Sequence, residues 1–334
     1  MRPKKRSFIV ILFIVILIFT GLYFIINQQT PLPGYVGDTS SITSTLENED
    51  TIGEMETYQD PDTGFSISIP IDWQQVTMDG YQTFIHSASA SSIQIQVQDY
   101  YPQVNMVTQE TVSSLAAQQG YTLLNFYWND NSSYVTMYQG TGNNGAVMDY
   151  IELVYFDRSN VITVYYTFNS EYYDRLEDII TATVDSISWE RADPIQADLR
   201  LYYNEIGNFE FATPINWISG IQNGTYYAQD ESTGSALTVS VAESTSTFAG
   251  VSQLDYVNQA STSRSNFMLS SYNADDNIIY AMGSYTYNNQ QIIFVQYLIA
   301  SGSFQYNLTF ECPASSFDGQ KELINTAVEY FRIF

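Results

Sequence analysis

The sequence predicts an α+β chain: an N-terminal transmembrane helix followed by two tandem copies of one domain, each an antiparallel β-sheet with packed helices. Three observations predict it. Phe8 to Ile26 is a 19-residue apolar run broken only by Thr20 and Gly21. A set of residues recurs at a constant offset of 144, as in Tyr58 and Tyr202. Within each copy, stretches of period-2 alternation are interrupted by two stretches of helical spacing.

The apolar run comes first. As a helix it spans roughly 28 Å, close to the hydrocarbon thickness of a bilayer. Arg2, Lys4, Lys5 and Arg6 precede it, so residues 1–6 are expected to stay cytoplasmic and the chain after residue 27 to lie outside. No small-x-small cleavage site follows, and no cysteine for lipid attachment, so residues 7–27 are expected to remain as an uncleaved, single-pass signal-anchor in the cell membrane. Residues 28–57 hold Pro31, Pro33 and Gly34 with Glu47, Glu49, Asp50, Glu54 and Glu56, and are expected to form a solvated acidic stalk.

The repeat follows. Tyr58, Phe65, Pro70, Ile71 and Trp73 recur as Tyr202, Phe209, Pro214, Ile215 and Trp217. Ile93, Ile95 and Val97 recur as Leu237, Val239 and Val241, and Tyr150, Glu152 and Val154 as Phe294, Gln296 and Leu298. The ends agree too, with Asp174, Ile180 and Val184 matching Asp318, Ile324 and Val328. Two copies are expected, residues 58–189 and 202–334, joined by a short linker at 190–201. In the first, Phe65, Ile67 and Ile69 alternate with serines and stop at Pro70, as a half-buried strand does. Tyr81–His86 and the stretch around Ile93 are the next strands. Residues 108–119 place Val112, Leu115 and Ala116 on one helical face, and Gly120 is a C-terminal stop. Leu123–Trp128, Tyr134–Gln139, Met148–Phe156 and Asn160–Phe168 form a four-strand meander with a glycine-rich turn at 140–145. Tyr172, Leu176, Ile179, Ile180 and Thr183 close the copy as a helix, and in the second copy Ser315 and Asp318 have capping-box spacing. Each copy reads βββαββββα.

With Tyr58-x6-Phe65-x4-Pro70-x2-Trp73 near the start, an early helix, a meander and a last apolar helix, each copy resembles the PsbP/Mog1-like superfamily. The resemblance implies an antiparallel sheet with helices on its faces, and no common catalytic residues. Its members include a photosystem subunit, a nuclear-transport factor and many bacterial surface proteins with different partners, so the fold transfers and the function does not. An anchor and a duplication set this chain apart from the photosynthetic members, and no oxygen-evolution role is expected.

Composition narrows the function. Net charge is −25, and beyond residue 27 seven basic residues face 36 acids, a balance of −29. Such a chain repels phosphate backbones, which excludes nucleic acid as a partner. A single cysteine, Cys312, and a single histidine, His86, exclude multi-cysteine and histidine-rich metal sites. Cys312 reads as a buried thiol. His86 beside Ser87 would suit a triad base, but no G-x-S-x-G elbow is present and Asp230 holds the equivalent position, so a surface histidine at a strand end is expected. Trp73 and Trp217 would serve as ligand platforms or as packing devices, and the duplicated spacing favours packing. Asp60-Pro61-Asp62, Asn129-Asp130-Asn131 and Asp275-Asp276 carry the oxygen ligands calcium prefers, without an EF-hand spacing; a solvated acidic surface is the plainer reading. Among 28 tyrosines, doublets such as Tyr165-Tyr166 and Tyr226-Tyr227 are expected to bury one ring and present the other. Those rings either form a binding surface or merely reflect a tyrosine-rich sheet. The expected function is non-catalytic binding of an extracytoplasmic protein partner with a basic surface, with no cofactor and no metal. The alternative is a glycan or cell-wall binder, and more remotely a calcium-dependent adhesin or a hydrolase.

Overall fold

The structure, a computed structural model, describes residues 53–334 except 143, 144 and 223. It contains two compact units that meet between Ile195 and Gln196. The first runs β1 (Met55–Gln59), β2 (Ser66–Pro70), β3 (Gln74–Met78), β4 (Tyr81–His86), β5 (Ser91–Asp99), α1 (Gln109–Gln118), β6 (Thr122–Asp130), β7 (Ser133–Thr141), β8 (Val147–Phe156), β9 (Asn160–Asn169) and α2 (Tyr173–Asp185). The second runs β10 (Leu199–Asn204), β11 (Phe209–Pro214), β12 (Ile218–Gln222), β13 (Thr225–Asp230), β14 (Ser235–Glu243), α3 (Gln253–Ala260), β15 (Ser265–Ala274), β16 (Ile278–Tyr287), β17 (Gln290–Ser301), β18 (Phe304–Pro313), α4 (Phe317–Glu329) and β19 (Arg332–Ile333).

Each unit is built on a seven-stranded antiparallel sheet. The strand orders are β3-β4-β5-β9-β8-β7-β6 and β12-β13-β14-β18-β17-β16-β15, the same topology twice. β1 and β2 pair as a separate hairpin, and β10 and β11 do the same with β19 added to their edge. In the first unit a single bridge, Ser66 to Ser188, stands where β19 pairs in the second.

Alternation along the strands divides the apolar residues between two faces. On one face Ile93, Ile95, Leu153, Ile162, Val164 and Tyr166 meet Phe65, Ile67 and Ile69 of the hairpin and Leu176 of α2, forming the main core. On the other, Val112 and Ala116 of α1 cover Tyr138 with Leu123, Phe126 and Tyr150 around them. The second unit repeats this: Leu237, Val239, Leu308 and Phe310 pack with Phe209, Phe211 and Ile324, while Tyr256 of α3 covers Ile279, Ala281 and Phe294.

The predicted α+β class is overturned. Strands hold 52% of the described residues and helices 19%, so the fold is mostly β, with two large antiparallel sheets and four α-helices of 8–13 residues. Each unit has nine strands or more where seven were expected, because β1, β3 and β12 lack strong alternation and β10 begins at Leu199, before the expected start of the second copy. Met55–Gln59 and Gln74–Met78 show mostly polar side chains and are recruited by backbone pairing with β2 and β4. The expected transmembrane helix at 7–27 lies outside the described residues. Among the described residues no helix is long and apolar enough to cross a membrane.

Segment ends also differ from expectation. β1 begins at Met55, inside the expected stalk, and β10 begins at Leu199, inside the expected linker. The linker is pinned as well. Asp157, fully buried, accepts the backbone N–H groups of Ser159 and Asn160 at 2.7 Å, of Ala192 at 2.9 Å and of Asp193 at 3.2 Å.

Helix ends follow local rules. α1 starts at Thr108, whose hydroxyl accepts the Thr111 N–H, and ends in a Schellman motif with Gly120 at φ +80°. There Tyr121 N–H bonds Ala116 O at 2.9 Å and Gly120 N–H bonds Ala117 O at 3.1 Å. The capping box expected at Ser315 and Asp318 is absent, because Ser316 is the N-cap and Asp318 turns to Lys321 at 2.6 Å. A capping box does form at α3, between Ser252 and Asp255.

Fragments 53–195 and 196–334 are each expected to unfold cooperatively, since each carries its own sheet, hairpin and helices. Cutting the first fragment back to residue 189 removes two donors from buried Asp157 and is expected to lower its stability by about 1–3 kcal/mol. Urea titration followed by circular dichroism tests both. A fragment that stays unfolded alone while the tandem folds would mean the two share one core.

Candidate binding corners and a buried acid

The Tyr-Phe-Pro-Trp residues prove to be a corner device. Pro70-Ile71-Asp72-Trp73 is a tight turn in which Trp73 N–H bonds Pro70 O at 3.1 Å, and Trp217 N–H bonds Pro214 O at 3.2 Å in the second unit. The turn is tied to the strand before it: Ile71 N–H bonds Glu54 O at 3.0 Å, and Ile215 N–H bonds Asp198 O at 2.8 Å. Trp73 and Trp217 are both buried, as are Phe65, Phe209 and Pro70, while Pro214 is half-buried. Tyr58 meets Phe84 edge-on at 5.6 Å, and Tyr202 lies 4.6 Å from Tyr226. Burial raises the Tyr202 hydroxyl, but hydrogen bonds with Ser219, Tyr226 and Arg200 outweigh it and hold the group below its ordinary value. The residue between Pro and Trp behaves otherwise: Ile71 is 56% exposed and Ile215 is 48% exposed.

His86 is not the surface histidine expected. It is buried and stacks on Trp73 with ring centroids 5.6 Å apart and planes at 15°. Its Nδ1 lies 2.7 Å from Ser89 Oγ, and Ser89 donates onward to Ser91 at 2.8 Å. The second unit stitches the same turn with other residues. Asp230 accepts the Thr233 hydroxyl at 2.7 Å, and Thr233 reaches Ser235 at 2.9 Å. The two units thus close the same turn with different side chains.

The acidic clusters close turns as well. Asp60 accepts from the Thr63 N–H and hydroxyl, Asp130 from Ser132 and Ser133, and Asp275 from the N–H groups of Asn277 and Ile278. In each of these three aspartates one carboxylate oxygen, Oδ1, is engaged by the chain itself. Among the described residues no three His, Cys, Asp or Glu gather as metal ligands would.

Most described tyrosines are half-buried. Tyr226 is buried and Tyr227 exposed, as the doublet rule expects, but only Tyr127, Tyr173, Tyr227 and Tyr287 rank as exposed among the described tyrosines. Tyr166 enters the main core, and its half-buried neighbour Tyr165 bonds a buried acid. Cys312 is buried, which pushes its thiol up to about 11.

That acid, Glu152, was not predicted as a site. It sits mid-strand on β8, 7% exposed, and its row of the sheet carries Tyr165 and Thr136 on either side. The Tyr138 hydroxyl donates to it at 3.3 Å. Burial pushes its carboxyl up to about 7, against the hydrogen bonds from Tyr165 and Tyr138 that pull it down. A lone acid inside the apolar run Ile151-Glu152-Leu153-Val154 is the sequence signal that would have found it. Gln296 holds the equivalent place in the second unit, accepting the Tyr256 hydroxyl at 2.6 Å and donating to Asn307 and Thr309 at 2.9 Å.

No family model and no curated protein matches the chain. Among solved structures it is similar to the solution structure of cyanobacterial PsbP from Synechocystis, at 15% identity and a TM-score of 0.35, over 42% of this chain and 95% of that one. It is also similar to a Pseudomonas aeruginosa protein of unknown function, at 16% identity and a TM-score of 0.29, over 41% of this chain and 99% of that one. Likeness at this level leaves the function to be argued from the chain's own residues.

Proposed function

We propose that this chain is a non-catalytic binding module, two tandem copies of one PsbP-like domain tethered to the outer face of a membrane by residues 7–27. It docks a protein partner with a basic surface. One observation carries the reading. In each unit the Pro-Ile-x-Trp turn buries its tryptophan yet leaves an isoleucine about half exposed, its N–H bonded to the backbone carbonyl of an exposed acidic residue, Glu54 or Asp198. The exposed isoleucine recurs at the same corner of both copies, which supports a shared contact point, and the acidic balance of the chain sets the sign of the partner. Two such corners on one chain raise avidity whenever both engage. The scarcity of exposed tyrosines leaves the glycan reading with less support than the protein reading.

Photo-crosslinkers placed at Ile71 and Ile215 in intact cells are expected to capture a protein with a basic surface, whose association rate falls as salt rises. Ile71→Ser and Ile215→Ser should each leave stability within about 0.5 kcal/mol of wild type, because both side chains are surface-exposed. The double variant should lose more capture than either single one. Recovery of glycan alone, or capture indifferent to both substitutions, would sink the reading.

A further inference from the structure

We propose that the cavity behind the first corner receives a single guanidinium-bearing side chain from that partner, a reading that rests on the proposed docking function. The cavity measures about 160 Å³ and is lined by Gly53, Glu54, Pro70, Ile71, Asp72, Trp73, His86 and Ile179. A cavity of roughly 150 Å³ holds one benzene-sized group, so the space accommodates one side chain.

The lining sorts by chemistry. Pro70, Ile71 and Ile179 supply apolar wall, and Trp73 and His86, buried and stacked on one another, supply its aromatic part. Glu54 and Asp72, both exposed, are the two acids among the lining residues, and no lysine or arginine lines it. An aromatic lining that also holds two acids matches a guanidinium better than an ammonium. Guanidinium is planar, weakly hydrated, stacks on rings and pairs with a carboxylate through two parallel N–H donors, whereas an ammonium holds its water and has no face to stack.

The second unit differs at this place. Asn216 replaces Asp72, and Asp230 replaces His86 with its carboxylate tied to Ser232 and Thr233. The two corners therefore share the exposed isoleucine but only the first has the ring pair and the second acid. This makes the first unit the reader of the cation and the second an apolar contact.

The test uses the full chain in detergent micelles and exploits its single histidine, whose imidazole resonances report on this cavity alone. Titration with the blocked peptide acetyl-Gly-Arg-Gly-amide is expected to move those resonances saturably. The citrulline peptide, equal in shape and uncharged, should leave them in place, and the lysine peptide should bind several-fold more weakly. Glu54→Gln with Asp72→Asn should weaken the arginine peptide at least threefold without moving the Tm. No saturable shift, equal response to citrulline or lysine, or unchanged affinity in the double variant would overturn the proposal. The docking function fails separately: peptide binding that persists while capture ignores Ile71→Ser and Ile215→Ser leaves the cavity assigned and removes the partner reading.

Discussion

Trp73→Ala and Trp217→Ala are each expected to lower the stability of their own unit by roughly 3–5 kcal/mol, the cost of removing a large buried aromatic side chain. Both indoles are 8% exposed and belong to the main core of their unit. Removing Trp73 opens the space between the hairpin and α2 and strips the stacked partner from His86, which is itself buried. Trp217 faces Phe310 at 6.3 Å, so its loss thins the same layer of the second sheet. Phenylalanine at either position should recover part of the loss by keeping a ring in place. Denaturant unfolding of the full chain, with each unit followed by its own fluorine-labelled residue, separates the two effects. A variant that unfolds like wild type yet fails to bind would make the indole a ligand platform instead of a packing element.

Raising the pH from 4.5 to 8 is expected to destabilise the first unit by about 3 kcal/mol through Glu152 alone. Below 4.5 the carboxyl is protonated in both the folded and the unfolded chain, and its contribution is fully present. Between 4.5 and about 7 the unfolded chain has released the proton while the buried carboxyl still holds it, so each rise in pH favours unfolding. Above 7 the loss is complete. The groups nearest it are hydroxyls of Tyr101, Tyr134, Tyr138 and Tyr165, and its charge raises each of them further, after burial. Other carboxylates act in a different window. Asp130 is raised by burial but lowered more by the Ser132 N–H, Ser133, Arg191 and the Ser132 hydroxyl, so its stabilisation is lost only as the pH falls below 3.8. Glu152→Gln should remove the slope between 4.5 and 7 and stabilise the first unit at pH 8, with no gain at pH 4.5. Gln296 is the precedent, an amide in the equivalent place with its oxygen and nitrogen both bonded. Unfolding curves at four pH values decide it, and a slope that survives the substitution would place the titrating group elsewhere.

Local pattern and repetition made much of this fold legible. A strand with one buried face writes its alternation into the sequence, so Ile67, Ile93 and Val164 announce β2, β5 and β9 before any contact is known. The same offset predicts where the second unit repeats the first: β3, β4, β5, β9 and α2 begin 144 residues before β12, β13, β14, β18 and α4. Strands without a buried face leave no such trace. Gln74–Met78 is a strand because β4 offers it unpaired backbone groups, and backbone pairing carries no side-chain signature. Counting helices and strands from pattern alone therefore undercounted strands and misjudged the class.

What the sequence by itself determined is the duplication, the two apolar faces of each sheet, the acidic balance and the Pro-x-x-Trp corners, because each is a matter of residue type and spacing along the chain. Only the tertiary structure decided which groups those corners bring together. His86 lies 13 residues from Trp73 and stacks on it because β3 and β4 fold back, and Asp157 holds residues 192 and 193 because the chain returns past α2. Glu152 reads as one more acid among 36 until the sheet buries it against tyrosines from other strands. Burial and proximity are properties of the whole packing, and a buried group's chemistry is set by neighbours that are distant in sequence.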